Sequence, residues 1–127
     1  MPNKDVRILV IDDEPSVADA LKIILDDNGY AAVVARTGRD GLEQATRHQF
    51  DVTITDLRLP DMSGLDVLSA LRAKDSNHLV IIITAYGTSE AIIESMSRGA
   101  IKVLSKPFLP SDILRLIDVA LKNRHSI

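Results

Sequence analysis

The run Leu79-Val-Ile-Ile-Ile83 places five large apolar residues in succession, and Ile8-Leu-Val-Ile11 places four. A strand with one face in water alternates apolar and polar residues. A continuous run leaves no face for water, so it belongs in a sheet covered on both sides. Parallel strands need long crossovers, most often helices, and the segments between the runs have helical periodicity. Pro15 suits a first helical turn, and Val17, Leu21, Ile24 and Leu25 follow at helical spacing until Asn28-Gly29. Ala31 to Ala35 reads as a weaker second strand, followed by a helix opened by Thr37-Gly38, with Leu42 and Ala45 on its apolar stripe.

Phe50 anchors the entry to a third strand, Val52-Thr-Ile-Thr55, which ends on Asp56. Pro60 and Gly64 punctuate a loop before a helix carrying Leu65, Leu68 and Leu71, which ends near Lys74. After the Leu79 run come Thr84-Ala85-Tyr86-Gly87 and a fourth helix, about Ser89 to Arg98, with Ile92, Ile93 and Met96 expected inward and Gly99 as its stop. Ile101, Val103 and Leu104 make a fifth strand ending at Ser105-Lys106-Pro107-Phe108. Ser111 is the expected cap of a last helix through Ile113, Leu116, Ile117, Ala120 and Leu121, with a frayed polar tail from Asn123. Five strands alternating with five helices predict an α/β fold of the flavodoxin-like, doubly wound type. Its five-stranded parallel sheet takes the order 2-1-3-4-5, with helices on both faces, an order inferred from the fold type.

With 127 residues, one domain spanning 1–127 is expected, with an ordered core of about 5–123. There is no Cys, so thiolate metal sites and Cys nucleophiles are excluded. The net charge of −3 offers no general attraction to nucleic acid or to an anionic membrane. The start lacks the apolar core of a signal peptide, and no run approaches the ~20 apolar residues of a membrane span. The expectation is a soluble, cytoplasmic protein.

In open α/β sheets, ligands bind at the carboxyl ends of the strands. There the chain places Asp12 and Asp13, Asp56, Thr84 and Lys106. Each has an ordinary reading: a helix cap for the first two, a turn former, a strand-end hydroxyl and a solvated charge. Together, in the predicted topology, they converge. Crowded carboxylates resist joint ionisation, and a hard divalent cation relieves them. Oxygen-only ligands favour magnesium or manganese. A carboxylate beside a metal, a lysine and a hydroxyl is equipped to accept a phosphoryl group.

The segments Asp12-Asp13-Glu14, Asp56-x-x-x-Pro60-x-x-x-Gly64, Thr84-Ala85 and Lys106-Pro107-Phe108 together resemble the receiver domains of two-component response regulators, over essentially the whole chain. The wording Ile-Thr-Ala-Tyr-Gly-Thr and Lys-Pro-Phe is similar to receivers of the sigma-54-activator type. The resemblance implies that Asp56 is the phosphoacceptor and that Thr84 and Lys106 contact the phosphoryl group. It implies that Asp13 and Asp56 bind magnesium with the Arg58 backbone carbonyl, Asp12 often acting through water. It also implies a cis peptide between Lys106 and Pro107. The implied partners are a sensor histidine kinase or phosphotransfer protein. An output domain or a second copy is implied at the face of the fourth helix, fifth strand and fifth helix. Tyr86 and Arg58 occupy positions that tune acyl-phosphate lifetime in the family, and Ala85 follows the switch threonine. The pattern is broken at Val103, where receivers usually carry an aromatic ring that turns inward on activation. Val103 is open to two readings: an ordinary strand residue or a sign of altered switching.

Two rivals remain. A phosphatase of the haloacid-dehalogenase type carries a second Asp two residues after its nucleophile, where this chain has Arg58. A flavodoxin-like cofactor module needs a phosphate-binding loop after the first strand, where Asp12-Asp13-Glu14 would repel phosphate. His48, His78 and His125 lack partners at metal spacing and read as surface residues.

Overall fold

The computed structural model describes residues 6–85 and 87–124. The elements are β1 (Arg7–Ile11), α1 (Pro15–Asp27), β2 (Ala31–Ala35), α2 (Gly38–Arg47), β3 (Val52–Asp56), α3 (Gly64–Lys74), β4 (Leu79–Thr84), α4 (Ser89–Ser97), β5 (Lys102–Ser105) and α5 (Pro110–Arg124). The sheet is parallel throughout, in the order β2-β1-β3-β4-β5. Its apolar runs divide by strand alternation. Ile8, Val10, Ile54, Ile81 and Ile83 face a core shared with Leu21 and Leu25 of α1 and Ile113 and Ile117 of α5. Leu9, Ile11, Val80 and Ile82 face a second core with Val67, Leu68 and Leu71 of α3. Phe50 is buried in this second core, with the Arg7 guanidinium 5.5 Å from its ring centre.

Helix ends follow local chemistry. Gly29 and Gly99 take positive φ, 87° and 103°, and turn the chain out of α1 and α4. Thr37 caps α2 by accepting the Asp40 N–H at 3.0 Å. Helix α5 starts at Pro110, so Ser111 lies inside its first turn and is not its cap. A proline already carries a helical φ, and Asp112 Oδ2 accepts the Leu109 N–H instead, at 2.9 Å. Asn123 belongs to this helix, which runs on to Arg124.

The expected inward stripe of α4 is overturned. Ile92, Ile93 and Met96 are 37%, 68% and 44% exposed, and the buried residue of α4 is Ser95. The helix covers a sheet edge whose strand β5 has four residues, too little apolar surface to receive large side chains. A small residue allows close approach there, and Ser95 hides its hydroxyl by donating to the Ala91 carbonyl at 2.8 Å.

His78 also departs from its surface reading. It is half-buried at the entry to β4, with Nε2 2.7 Å from the hydroxyl of the fully buried Thr53. Burial pushes its imidazole below the ordinary range. Arg72 and Lys74 act in the same direction, and Asp75 and Asp51 oppose it. His48 is exposed, and His125 lies outside the described residues.

Candidate phosphoacceptor and metal site

Strands β1, β3 and β4 end in one neighbourhood, and the segment after β5 joins them. Ile11 pairs with Thr55, Asp56 with Ile83 and Thr84 with Ser105. Asp12, one residue past β1, is fully buried and is fixed by its own N–H on the Ala35 carbonyl at 3.0 Å. Its Oδ1 accepts the Glu14 N–H at 2.9 Å. Its Oδ2 is buried without a hydrogen bond, although the Lys106 ammonium lies 3.0 Å away. That contact is a charge pairing without hydrogen-bond alignment.

Asp56 is 6% exposed, with Oδ1 accepting the Arg58 N–H at 3.2 Å and Oδ2 accepting Lys106 Nζ at 2.7 Å. Lys106 Nζ also donates to Glu14 Oε1 at 2.7 Å. Thr84 is buried at the end of β4, and its carbonyl accepts the Lys106 N–H at 2.8 Å. The Lys106–Pro107 peptide bond is cis. The site thus gathers Asp12, Asp56, Thr84 and Lys106, together with exposed Asp13.

One oxygen from each of Asp12, Asp13 and Asp56 lies within 4.8 Å of the others. The donors are all carboxylate oxygens, one of them buried and short of a partner. That set fits a hard divalent cation such as magnesium. Burial raises the Asp12 carboxyl, outweighing the Glu14 N–H and the Lys106 charge. Burial lowers Lys106, but its contacts with Asp56, Glu14 and Asp12 more than reverse this, so it stays an ammonium.

Glu14, to which the sequence reading assigns no contact of its own, is a direct partner of Lys106 across 92 positions. Val103 pairs with Ile82 and packs, partly buried, against the α3-side core. Ala85 is exposed, as is Arg58, whose loop bridges back to Ser63. Tyr86 lies outside the described residues.

A profile of the response regulator receiver domain matches residues 8–118. The chain belongs to this family. Over all 127 residues the receiver domain is 33% identical to the transcriptional regulatory protein ZraR of Escherichia coli, of which it covers 29%. It is 40% identical over 115 residues to the transcriptional regulatory protein KdpE of Mycobacterium tuberculosis, covering half of it. The receiver domain therefore spans half or less of the length of these relatives. Among solved structures, a CheY-like receiver domain protein from Methanospirillum hungatei superposes with a TM-score of 0.91 at 31% identity, covering 94% of this chain and 95% of that one. A receiver domain of a LuxO-type repressor from Vibrio parahaemolyticus gives 0.88 at 33%, covering 94% and 92%. Among the described residues no helix is long and apolar enough to cross a membrane.

Proposed function

We propose that this receiver domain is a phosphorylation-dependent switch in which Asp56 takes a phosphoryl group from a histidine kinase or phosphotransfer protein. The observation that carries the reading is Lys106 Nζ at 2.7 Å from Asp56 Oδ2, where the oxygens of Asp12, Asp13 and Asp56 also gather. An Asp56 oxygen attacks phosphorus in line, and the phosphorus–nitrogen bond of the phosphohistidine breaks. The departing imidazole nitrogen keeps the electron pair and takes a proton. The product is an acyl phosphate on Asp56.

Lys106 neutralises charge on the transferred oxygens, and the Thr84 hydroxyl donates to one of them. Asp13, Asp56 and the Arg58 carbonyl would hold magnesium, with Asp12 behind them. The bound cation supplies further positive charge at the phosphoryl oxygens. Hydrolysis of the acyl phosphate resets the switch, so the chain acts catalytically only on itself.

The apolar groove of Val17, Ala20, Ile24, Pro107 and Phe108 opens beside Lys106 and supports docking of the donor there. Relay runs from Thr84 toward the exposed Ile92, Ile93 and Met96 of α4, a face suited to an output domain or a second copy. Val103 offers no ring to that relay. The motif wording and the match to ZraR support a regulator of the sigma-54-activator type, and a cytoplasmic location fits that role.

The test is intact mass after incubation with acetyl phosphate and magnesium, for wild type and Asp56→Asn. One labile phosphoryl group that needs magnesium and is missing from the variant is expected. No adduct on a wild type that binds magnesium refutes the proposal.

A further inference from the structure

We propose that Asp61 is a positioning residue: it ties the loop between Asp56 and α3 to the N-terminus of α2, and so holds the Arg58 carbonyl at the cation site. This rests on the magnesium reading above. The loop is anchored at its base, where the Gly64 N–H donates to the Leu57 carbonyl at 2.7 Å and Arg58 bridges to Ser63. Towards its tip Leu59 and Met62 rest, partly buried, on the α3-side core, a contact without directional preference, and a polar anchor is needed to fix the orientation of the backbone. Asp61 provides one with both oxygens. Oδ1 accepts the Gly38 N–H and Oδ2 the Arg39 N–H, each at 2.8 Å and more than twenty positions away in the chain.

With Thr37 taking the Asp40 N–H, these bonds satisfy the first three N–H groups of α2. Two of the three depend on the distant loop. Met62 closes the joint. It lies so near Gly38 that a β-carbon there would overlap its Sδ and Cγ. Helix α2 is itself a fixed support, because Gly41 seats against Ile11 of β1, next to Asp12. The backbone N–H groups of Arg39 and Gly38 hold the Asp61 carboxyl below its ordinary range, so the clasp is anionic at neutral pH. A closed circuit results: β1, α2, Asp61, the loop and Asp56. The carboxylates that follow β1 and end β3 are thereby held in register with the Arg58 carbonyl of the loop.

A residue that merely caps α2 would affect stability alone, whereas a positioning residue also affects the cation. The test compares Asp61→Ala, Asp61→Asn and the control Thr37→Ala, which removes a cap from the same helix end and leaves the loop tethered. Magnesium dissociation constants come from amide shifts in NMR titrations, and folding from thermal melts in chelator. Asp61→Ala is expected to weaken magnesium binding about tenfold, the lower end of what supporting residues at metal sites confer, with Asp61→Asn between it and wild type. Thr37→Ala is expected to lower the melting temperature and leave the constant unchanged. An unchanged constant in Asp61→Ala, beside a wild type that binds, overturns the inference. So does an equal loss in Thr37→Ala. A wild type without saturable magnesium binding overturns the functional reading, and this inference with it.

Discussion

Gly64→Ala tests how tightly the backbone is packed around Asp56. A β-carbon at Gly64 would overlap the Asp56 carbonyl oxygen and lie 2.8 Å from Leu57 Cα, both backbone atoms that no rotamer change can move aside. Overpacking of this kind costs about 1–3 kcal/mol. The Gly64 N–H bond to the Leu57 carbonyl, 2.7 Å long, stretches or breaks as the loop yields, which costs a further ~1 kcal/mol. Alanine in the first turn of α3 returns up to about 1 kcal/mol, because glycine is the poorer helix former. The balance is a net destabilisation of about 2 kcal/mol. Unfolding entropy of ~2.1 cal/mol/K per residue gives ~0.27 kcal/mol/K for 127 residues, so the melting temperature falls by about 7 °C. Far-UV circular dichroism in chelator reads this directly. A variant that melts at or above wild type would mean that helix propensity outweighs the clash, and that the approach of Gly64 to Asp56 places no constraint on the site.

Asp13→Asn separates charge at the site from the stability of the fold. Asp13 is exposed, and loss of its charge relieves the crowding with Asp12 and Asp56, so the variant should melt at or slightly above wild type in chelator. With magnesium at ten times its dissociation constant, linkage adds about 1.4 kcal/mol to wild type and raises its melting temperature by ~5 °C. Asp13→Asn should lose most of that rise, and an undiminished rise excludes Asp13 as a ligand. His78 predicts a pH dependence. Its folded pKa is lowered by burial, so between that value and about 6.5, its unfolded value, only the unfolded chain takes up the proton. The stability linked to neutral His78 is therefore present above about pH 6.5 and is lost as pH falls toward the folded pKa. Urea midpoints at neutral and mildly acidic pH should differ less in His78→Gln than in wild type, and equal differences reject the assignment.

Strands β1 and β4 were legible because burial on both faces leaves an apolar run too short for a helix. The convergence at the site was legible because its members violate that pattern. Asp12, Asp56 and Thr84 are polar residues at the ends of buried runs, and three such violations at one sheet edge call for a common cause. The orientation of α4 was not legible. Helical spacing of Ile92, Ile93 and Met96 marks a stripe but says nothing of how wide a surface awaits it, and β5 has four residues. Nor could spacing reveal that His78 would meet Thr53 inside the fold, 25 positions away.

The residues that support the site are hidden for a different reason. Asp61 follows Pro60 in a turn, where an aspartate is ordinary, and Gly64 precedes a helix, where a glycine is an ordinary breaker. Both obey local rules, so neither draws attention. Their particular demands arise only when the fold brings Gly38 and Arg39 to one and the Asp56 carbonyl to the other. Groups that do chemistry must sit where a local rule forbids them, because a buried charge is useful for the same reason that it is costly. Groups that hold such charges in place need only geometry, and geometry across more than twenty residues leaves no trace in spacing. In this receiver domain, the residue proposed to accept the phosphoryl group can be found by reading along the chain, and the clasp proposed to position its loop only by reading across it.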